Sequence, residues 1–110
     1  MNRRLKILDQ IIHKLKAAKT VAVTGHMRPD GDCIGSQLAV AYALKNSGKK
    51  VTVFNQDIMP KKLAFLDPRR ILSTPKNPIP YDCVVATDCA NYGRIGTVCD
   101  AISKGKILIN

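Results

Sequence analysis

The sequence predicts a small α/β domain built on a parallel β-sheet with helices on both faces. Short β-branched apolar segments alternate along the chain with segments whose apolar residues recur at helical spacing. Such alternation is typical of parallel sheets, whose neighbouring strands are joined by right-handed crossovers. A length of 110 residues and a hydrophobic content of 45% suit one domain of this kind with one core.

Apolar spacing places the helices. Residues three or four positions apart share one face of a helix, and the chain begins with such a face at Leu5, Leu8, Ile12 and Leu15. We expect this face to pack against the rest of the domain. Gly48 and Gly105 follow two later helical segments as terminators. The predicted helices span residues 3–18, 32–46 (with residue 33 as the alternative start) and 94–103, and a short helix spans 61–66.

Four short segments rich in valine, isoleucine and threonine predict the strands. They span residues 20–24, 51–54, 81–87 and 106–109. The loop 27–31 contains Pro29 and Gly31, and residues 57–80 contain five of the six prolines. Apart from the short helix, residues 57–80 are therefore predicted to be irregular connection. Residues 1–110 show neither an internal repeat nor a linker.

The charge balance is strongly basic, with 18 Lys and Arg against 8 acidic residues, all Asp, and a formal net charge of +10. This charge suits an anionic partner such as a nucleotide or nucleic acid, although a solvated lysine coat explains it equally well. The four cysteines lack the paired spacing of a structural zinc site. Because the sequence shows no signal-peptide pattern, we expect reduced thiols in a cytoplasmic protein. We expect no membrane partner, because the apolar runs are too short to span a bilayer.

Candidate metal ligands follow two of the predicted strands. Ligands bind beyond the carboxyl ends of the strands in an open parallel sheet, and there the first strand leads to His26 and the third to Asp88. Asp30 and Asp32 lie in the loop just past the first strand. Carboxylates gathered in a cleft repel one another unless cations lie between them. Oxygen ligands with one imidazole favour Mn²⁺ or Mg²⁺, and two such ions can activate water and stabilise a phosphoryl oxygen.

Each of these residues also has an ordinary structural explanation. Asp-Gly pairs often make turns, and Asp32 could simply be the N-cap of the second helix. A single histidine such as His26 is more often a polar residue at a strand end than a ligand. Only the joint placement of the four residues after two strands favours a metal site.

Two stretches of the sequence resemble motifs of the DHH phosphoesterase superfamily. Residues 25–36, GHMRPDGDCIGS, resemble the first motif, and residues 84–96, VVATDCANYGRIG, resemble the second. Together they are most similar to the branch of nanoRNases and phosphoadenosine-phosphate phosphatases. The resemblance implies a Rossmann-like domain with two Mn²⁺ ions, Mg²⁺ being possible, and a smaller substrate-binding domain after it. It further implies hydrolysis of phosphate esters of short oligoribonucleotides or small nucleotides such as 3′-phosphoadenosine 5′-phosphate.

The resemblance also implies roles for individual residues. His26 and Asp30 would bind one ion, Asp32 would bind the other, and Asp88 would bridge the two.

Two further residues are candidates for substrate binding. Ser36 lies where a helix N-terminus could assist anion binding, although an ordinary helix-start serine explains it as well. Arg94 could neutralise the substrate or hold the loop after Asp88, and we slightly favour the second role.

The third motif of the family, Asp-His-His, would follow the fourth strand, and the sequence ends there at Asn110. We therefore expect the N-terminal part of a DHH domain, without the rest of the metal site or the second domain, and inactive by itself. Two alternatives stay open: a non-catalytic basic module that binds nucleotides or nucleic acid, and a remnant without function.

Overall fold

The computed structural model describes residues 3–25, 28–55, 57–73, 81–87 and 107–109. Helix α1 spans Arg3–Ala17, helix α2 spans Gly31–Asn46, and a 3₁₀ helix spans Lys61–Leu66. The strands are β1 (Thr20–Thr24), β2 (Lys50–Phe54), β3 (Leu72–Ser73), β4 (Cys83–Ala86) and β5 (Ile107–Ile109).

These strands form one parallel sheet in the order β3-β2-β1-β4-β5. Helix α2 connects β1 to β2 and packs on both of them. This order is that of a Rossmann-like sheet, in which the direction of strand addition reverses beside β1. The predicted α/β fold is therefore confirmed, whereas the predicted helix over 94–103 lies outside the described residues.

Helix α2 differs from its prediction at one end only. It begins at Gly31, which was expected to belong to the preceding loop. At the other end Gly48 has a φ of +83°, and its N–H donates to Lys45 O at 2.9 Å. The N–H of Lys49 donates to Leu44 O at 3.2 Å, which completes a Schellman motif. Gly48 as terminator is thus confirmed.

Strand β3 is an element that the sequence did not predict. It contains two residues and extends the sheet beyond β2, where Val53 pairs with Leu72. The buried carboxylate of Asp67 accepts hydrogen bonds from the N–H groups of Ile71 (3.0 Å) and Leu72 (2.9 Å). This side chain therefore fixes the backbone where it enters the strand. The region expected to be irregular connection contains a sheet strand.

Apolar residues are buried on both faces of the sheet, as parallel sheets require. One cluster joins alternate residues of β1, β2 and β4 to α2, namely Val21, Val23, Val53, Cys83, Val85, Ala41 and Leu44. The second cluster lies on the other face and contains Ala22, Phe54, Tyr81, Val84 and Ala86. Burial raises the pKa of the Cys83 thiol, with a smaller contribution from Asp82. Cys33 and Cys83 are both buried, and neither forms a disulfide.

Helix α1 packs against this core mainly through its C-terminal end. Ala18 is buried and Leu15 contacts the α2-side cluster, but Ile7, Leu8 and Ile12 remain 48–51% exposed. The expected packing of the whole apolar face is therefore wrong for the described part of the chain. Neither of the two described α-helices is long and apolar enough to cross a membrane.

Side chains also join the amino ends of the two central strands. Asp82 Oδ2 accepts hydrogen bonds from Lys19 N (2.9 Å) and Thr20 N (3.2 Å). In return, the N–H of Asp82 donates to Thr20 Oγ1 at 3.0 Å. The start of β4 is thus attached to the start of β1 by three hydrogen bonds.

Candidate functional site

The candidate site lies at the carboxyl ends of β1 and β4, the point at which ligands bind in sheets of this order. Thr24 of β1 is in register with Ala86 of β4, and the N–H of Thr87 donates to Thr24 O at 2.9 Å. The two strands are therefore paired up to Thr24 and Thr87. His26, Asp88 and Arg94 themselves lie outside the described residues, and their roles stay predictions.

Asp30 is the N-cap of α2. Its backbone is extended (φ −102°, ψ −176°), and its Oδ1 accepts a hydrogen bond from Cys33 N at 2.9 Å. The alternative that Asp32 caps this helix is therefore wrong, since Asp32 lies within the first turn. The helix dipole stabilises both carboxylates there. Because a carboxylate has two oxygens with about four lone-pair sites, the cap bond does not prevent Asp30 from binding a metal.

Asp32 and Ser36 lie on the same exposed side of α2. They are four residues apart, which is about one helical turn, and both are exposed. Ser36 is the sixth residue of the helix, so it is not a helix-start serine. Its hydroxyl could accompany Asp32 at the site, whereas its backbone N–H is beyond the first four, unpaired N–H groups of the helix.

The described residues contain no group of three histidine, cysteine or aspartate side chains arranged to hold a metal ion. Two of the four proposed ligands, Asp30 and Asp32, fall within that part of the chain. The described part of the site thus supplies two exposed carboxylates beside a helix N-terminus.

The loop that leads into α2 is attached to the segment after β2. Arg28 has a φ of +54°, a left-handed conformation that costs a non-glycine residue about 1 kcal/mol. Its N–H donates to Asp57 Oδ2 at 2.7 Å, and Pro29 beside it is buried. The hydrogen bond to Asp57 stabilises this turn, and with it the position of Asp30.

Residues 20–110 match the model of the DHH family, N-terminal domain. The chain belongs to the DHH family. The predicted membership of the DHH family is therefore confirmed. The DHH fold is also seen in a structural relative, an exopolyphosphatase-related protein from Bacteroides fragilis, with a TM-score of 0.75 and 22% sequence identity. The match covers 94% of this chain and 34% of the relative, so the chain spans about a third of that protein's length.

A buried hydrogen-bond network joins residues of the first DHH motif and of α2 to the residue that follows β2. The side chains of Gln37 and Asn55 form a reciprocal amide pair, with Gln37 Nε2 to Asn55 Oδ1 at 2.9 Å and Asn55 Nδ2 to Gln37 Oε1 at 2.8 Å. Asn55 Oδ1 also accepts the N–H of Gly25 at 2.7 Å. The Cys33 thiol donates to Gln37 Oε1 at 3.6 Å. Helix α2, the end of β2 and the end of β1 are thereby joined.

This network was missed in the sequence, although two signals point to it. Gln37 is a polar residue inside an apolar helical run, and Asn55 follows a β-branched strand directly. Both are fully buried, and buried polar side chains are nearly always hydrogen-bonded. Thr24 adds a fully buried hydroxyl at the end of β1, with no hydrogen-bond partner among the described residues.

Proposed function

We propose that this DHH domain contributes His26, Asp30, Asp32 and Asp88 to a two-metal phosphoesterase centre. The observation that carries the proposal is the pairing of β1 with β4 up to Thr24 and Thr87. Because β1 and β4 are parallel neighbours, the two segments with proposed ligands both follow strands at the carboxyl end of the sheet.

The described residues fit hard divalent cations. Asp30 and Asp32 provide exposed carboxylate oxygens, which are the ligands that Mn²⁺ and Mg²⁺ prefer. In the proposed site His26 and Asp30 would hold one ion, Asp32 would hold the other, and Asp88 would contribute to both. When bound, such ions supply activation of water and neutralisation of charge on a phosphoryl group.

The proposed substrates are phosphate esters of short oligoribonucleotides or small nucleotides such as 3′-phosphoadenosine 5′-phosphate. Support comes from the sequence around the two motifs, which is most similar to the nanoRNase and phosphoadenosine-phosphate phosphatase branch, and from the net charge of +10. Ser36 would bind the substrate phosphate, and Arg94 would either neutralise this phosphate or, as we slightly favour, hold the loop after Asp88. The structural relative's description as exopolyphosphatase-related agrees with an anionic phosphate substrate in general terms.

The second candidate is a basic module that binds nucleic acid without catalysis, which the net charge alone favours. Its binding would weaken steeply with salt and would not depend on metal. Removal of the Asp30 or Asp32 carboxylate should therefore weaken metal binding under the first function, but should not weaken nucleic-acid binding under the second.

Replacing Asp30 with Asn separates a metal ligand from a helix cap. Asn caps helices as well as Asp does, so the variant keeps the cap oxygen that Cys33 N–H donates to. Mutation of a residue that only supports a metal ligand typically weakens metal affinity roughly 10- to 100-fold. We expect Asp30→Asn and Asp32→Asn each to weaken Mn²⁺ binding by more than this, as measured by titration calorimetry. Thermal stability should change little.

Asp9→Asn is the matched control, because Asp9 is exposed on α1 and its replacement removes the same charge. It should leave Mn²⁺ binding unchanged. Equal Mn²⁺ affinity in the Asp30→Asn variant and the unmodified chain would contradict the proposed metal site and favour the second candidate.

A further inference from the structure

A cleft of about 700 Å³ lies between the segment after β2, the 3₁₀ helix and β3. Its walls include Asp57, Ile58, Phe65, Asp67, Arg70 and Leu72. Because β2 pairs with β1 up to Phe54 and Thr24, the cleft lies at the same edge of the sheet as the candidate metal site.

Asp57 connects the cleft with the loop that leads to the candidate metal site. Asp57 lines the cleft, and its Oδ2 accepts the N–H of Arg28 at 2.7 Å in the loop that leads to Asp30. A chain-like ligand bound in this cleft can therefore continue towards the carboxylates of the candidate metal site.

Two carboxylates, those of Asp57 and Asp67, and one cation, Arg70, line the cleft, and two lysines lie on the 3₁₀ helix that forms one wall. The carboxylate of Asp67 is buried and accepts two backbone N–H groups, from Ile71 and Leu72. The cations, in contrast, are exposed: Arg70 lines the cleft, and Lys61 and Lys62 lie on the 3₁₀ helix. Together these three cations exceed the two carboxylates by one charge, so an anionic ligand is favoured mainly beside the exposed lysines of the 3₁₀ helix.

Two apolar side chains of the cleft wall are exposed to an unusual degree, Phe65 at 73% and Ile58 at 84%. Only 5% of the chain is aromatic, so an exposed phenyl ring among lysines and arginines is notable here. Proteins bind single-stranded nucleic acid by combining such features, with bases stacked on aromatic rings and phosphates held by cations.

We infer that this cleft binds one base of a single-stranded oligonucleotide, which stacks on Phe65 while Arg70, Lys61 and Lys62 hold the adjacent phosphates. The inference rests on the proposed function, since the substrate phosphate would lie at Asp30 and Asp32. It adds a second binding region, which would favour oligonucleotides over mononucleotides.

The test measures binding of a fluorescently labelled short oligoadenylate by anisotropy, in EDTA so that no divalent ion contributes. Phe65→Ala should weaken binding about fivefold or more, the value expected for loss of one stacked base. Phe65→Tyr keeps the ring and should bind like the unmodified chain. Lys61→Ala with Lys62→Ala should lower the salt dependence, by about 0.7 in the slope of log affinity against log salt for each phosphate that is no longer neutralised.

Ile12→Ala is the matched control, because Ile12 is an exposed apolar residue of α1, and it should leave the affinity unchanged. Unchanged affinity in Phe65→Ala, an equal loss in Ile12→Ala, or no binding by the unmodified chain would each overturn the inference. The same measurements distinguish failure of the proposed metal site from failure of this inference. If the chain does not bind Mn²⁺ but Phe65→Ala still weakens oligonucleotide binding, the metal centre is rejected and the binding cleft is retained.

Discussion

Gly25 directly follows β1 and lies close to the side chains of Cys33 and Gln37 in α2. A Cβ atom there would overlap Cys33 Sγ and would lie 3.0 Å from Gln37 Oε1 and 3.1 Å from Asn55 Oδ1. Its N–H meanwhile donates to Asn55. The position thus requires glycine because of the surrounding side chains. The residue that follows it in sequence is the proposed ligand His26.

We predict that Gly25→Ala lowers the free energy of unfolding by about 1–3 kcal/mol, the usual cost of overpacking a filled interior. Urea denaturation measures the loss. Combining it with Cys33→Ala, which removes the overlapping sulfur, should recover part of it.

Gly35→Ala is the control for this change. Gly35 lies in α2, and a Cβ atom added there would meet no atom within 4 Å, so alanine should stabilise the helix by up to about 1 kcal/mol. Equal effects at positions 25 and 35 would show that the contact with Cys33 does not limit Gly25.

At the residue scale the sequence predicted the positions of single residues better than the contacts between them. Asp30 and Asp32 were identified from residue type and their position after a strand, and both are found beside the start of α2. The helix start was placed too late because Pro-Asp-Gly is also a turn sequence. The Gln37–Asn55 pair joins residues 18 positions apart, and such a contact depends on how α2 lies on β2, which local patterns do not specify.

At the scale of elements, β3 is a strand stabilised by one side chain and not by the strand propensity of its own residues. The strand has only two residues, too few for a periodic pattern, and it follows a proline-containing segment. The carboxylate of Asp67 holds the two N–H groups at its entrance. Prediction from apolar alternation therefore found β1, β2, β4 and β5 but could not find β3.

We expect Asp67→Ala to destabilise the region around β3, by about 1–3 kcal/mol for each N–H group left without a partner. Hydrogen exchange at the Leu72 amide should become faster, whereas exchange in β1 should be less affected. Asp9→Asn on α1 serves as control. Unaltered exchange at Leu72 would mean that pairing with β2 alone maintains this strand.

At the scale of the whole molecule, α1 is only partly packed against the core. Its exposed apolar residues Ile7, Leu8 and Ile12 explain why an amphipathic pattern predicted the helix correctly but not its burial. Periodicity identifies the face that avoids water, but it does not identify the surface that covers that face.

Replacing Leu8 and Ile12 together with Gln should therefore change the free energy of unfolding only slightly, by about 1 kcal/mol, because both side chains are already half exposed. Ile34→Ala in α2 is the contrast, since Ile34 is fully buried and such a deletion costs about 2–5 kcal/mol. Urea denaturation compares the variants. A loss in the double variant as large as that of Ile34→Ala would indicate that the face of α1 is covered in solution.

The hydrogen bonds of Asp82 at the start of β1 have a consequence for the opposite end of that strand. Because β1 and β4 are apolar on both sides, burial alone would tolerate sliding of one strand along the other more readily than in a sheet with one wet face. The bonds of Asp82 to Lys19 and Thr20 oppose such a shift. A side chain at the amino ends of the two strands thereby helps to determine that Thr24 and Thr87 stand side by side at the opposite end, which leads to the candidate centre.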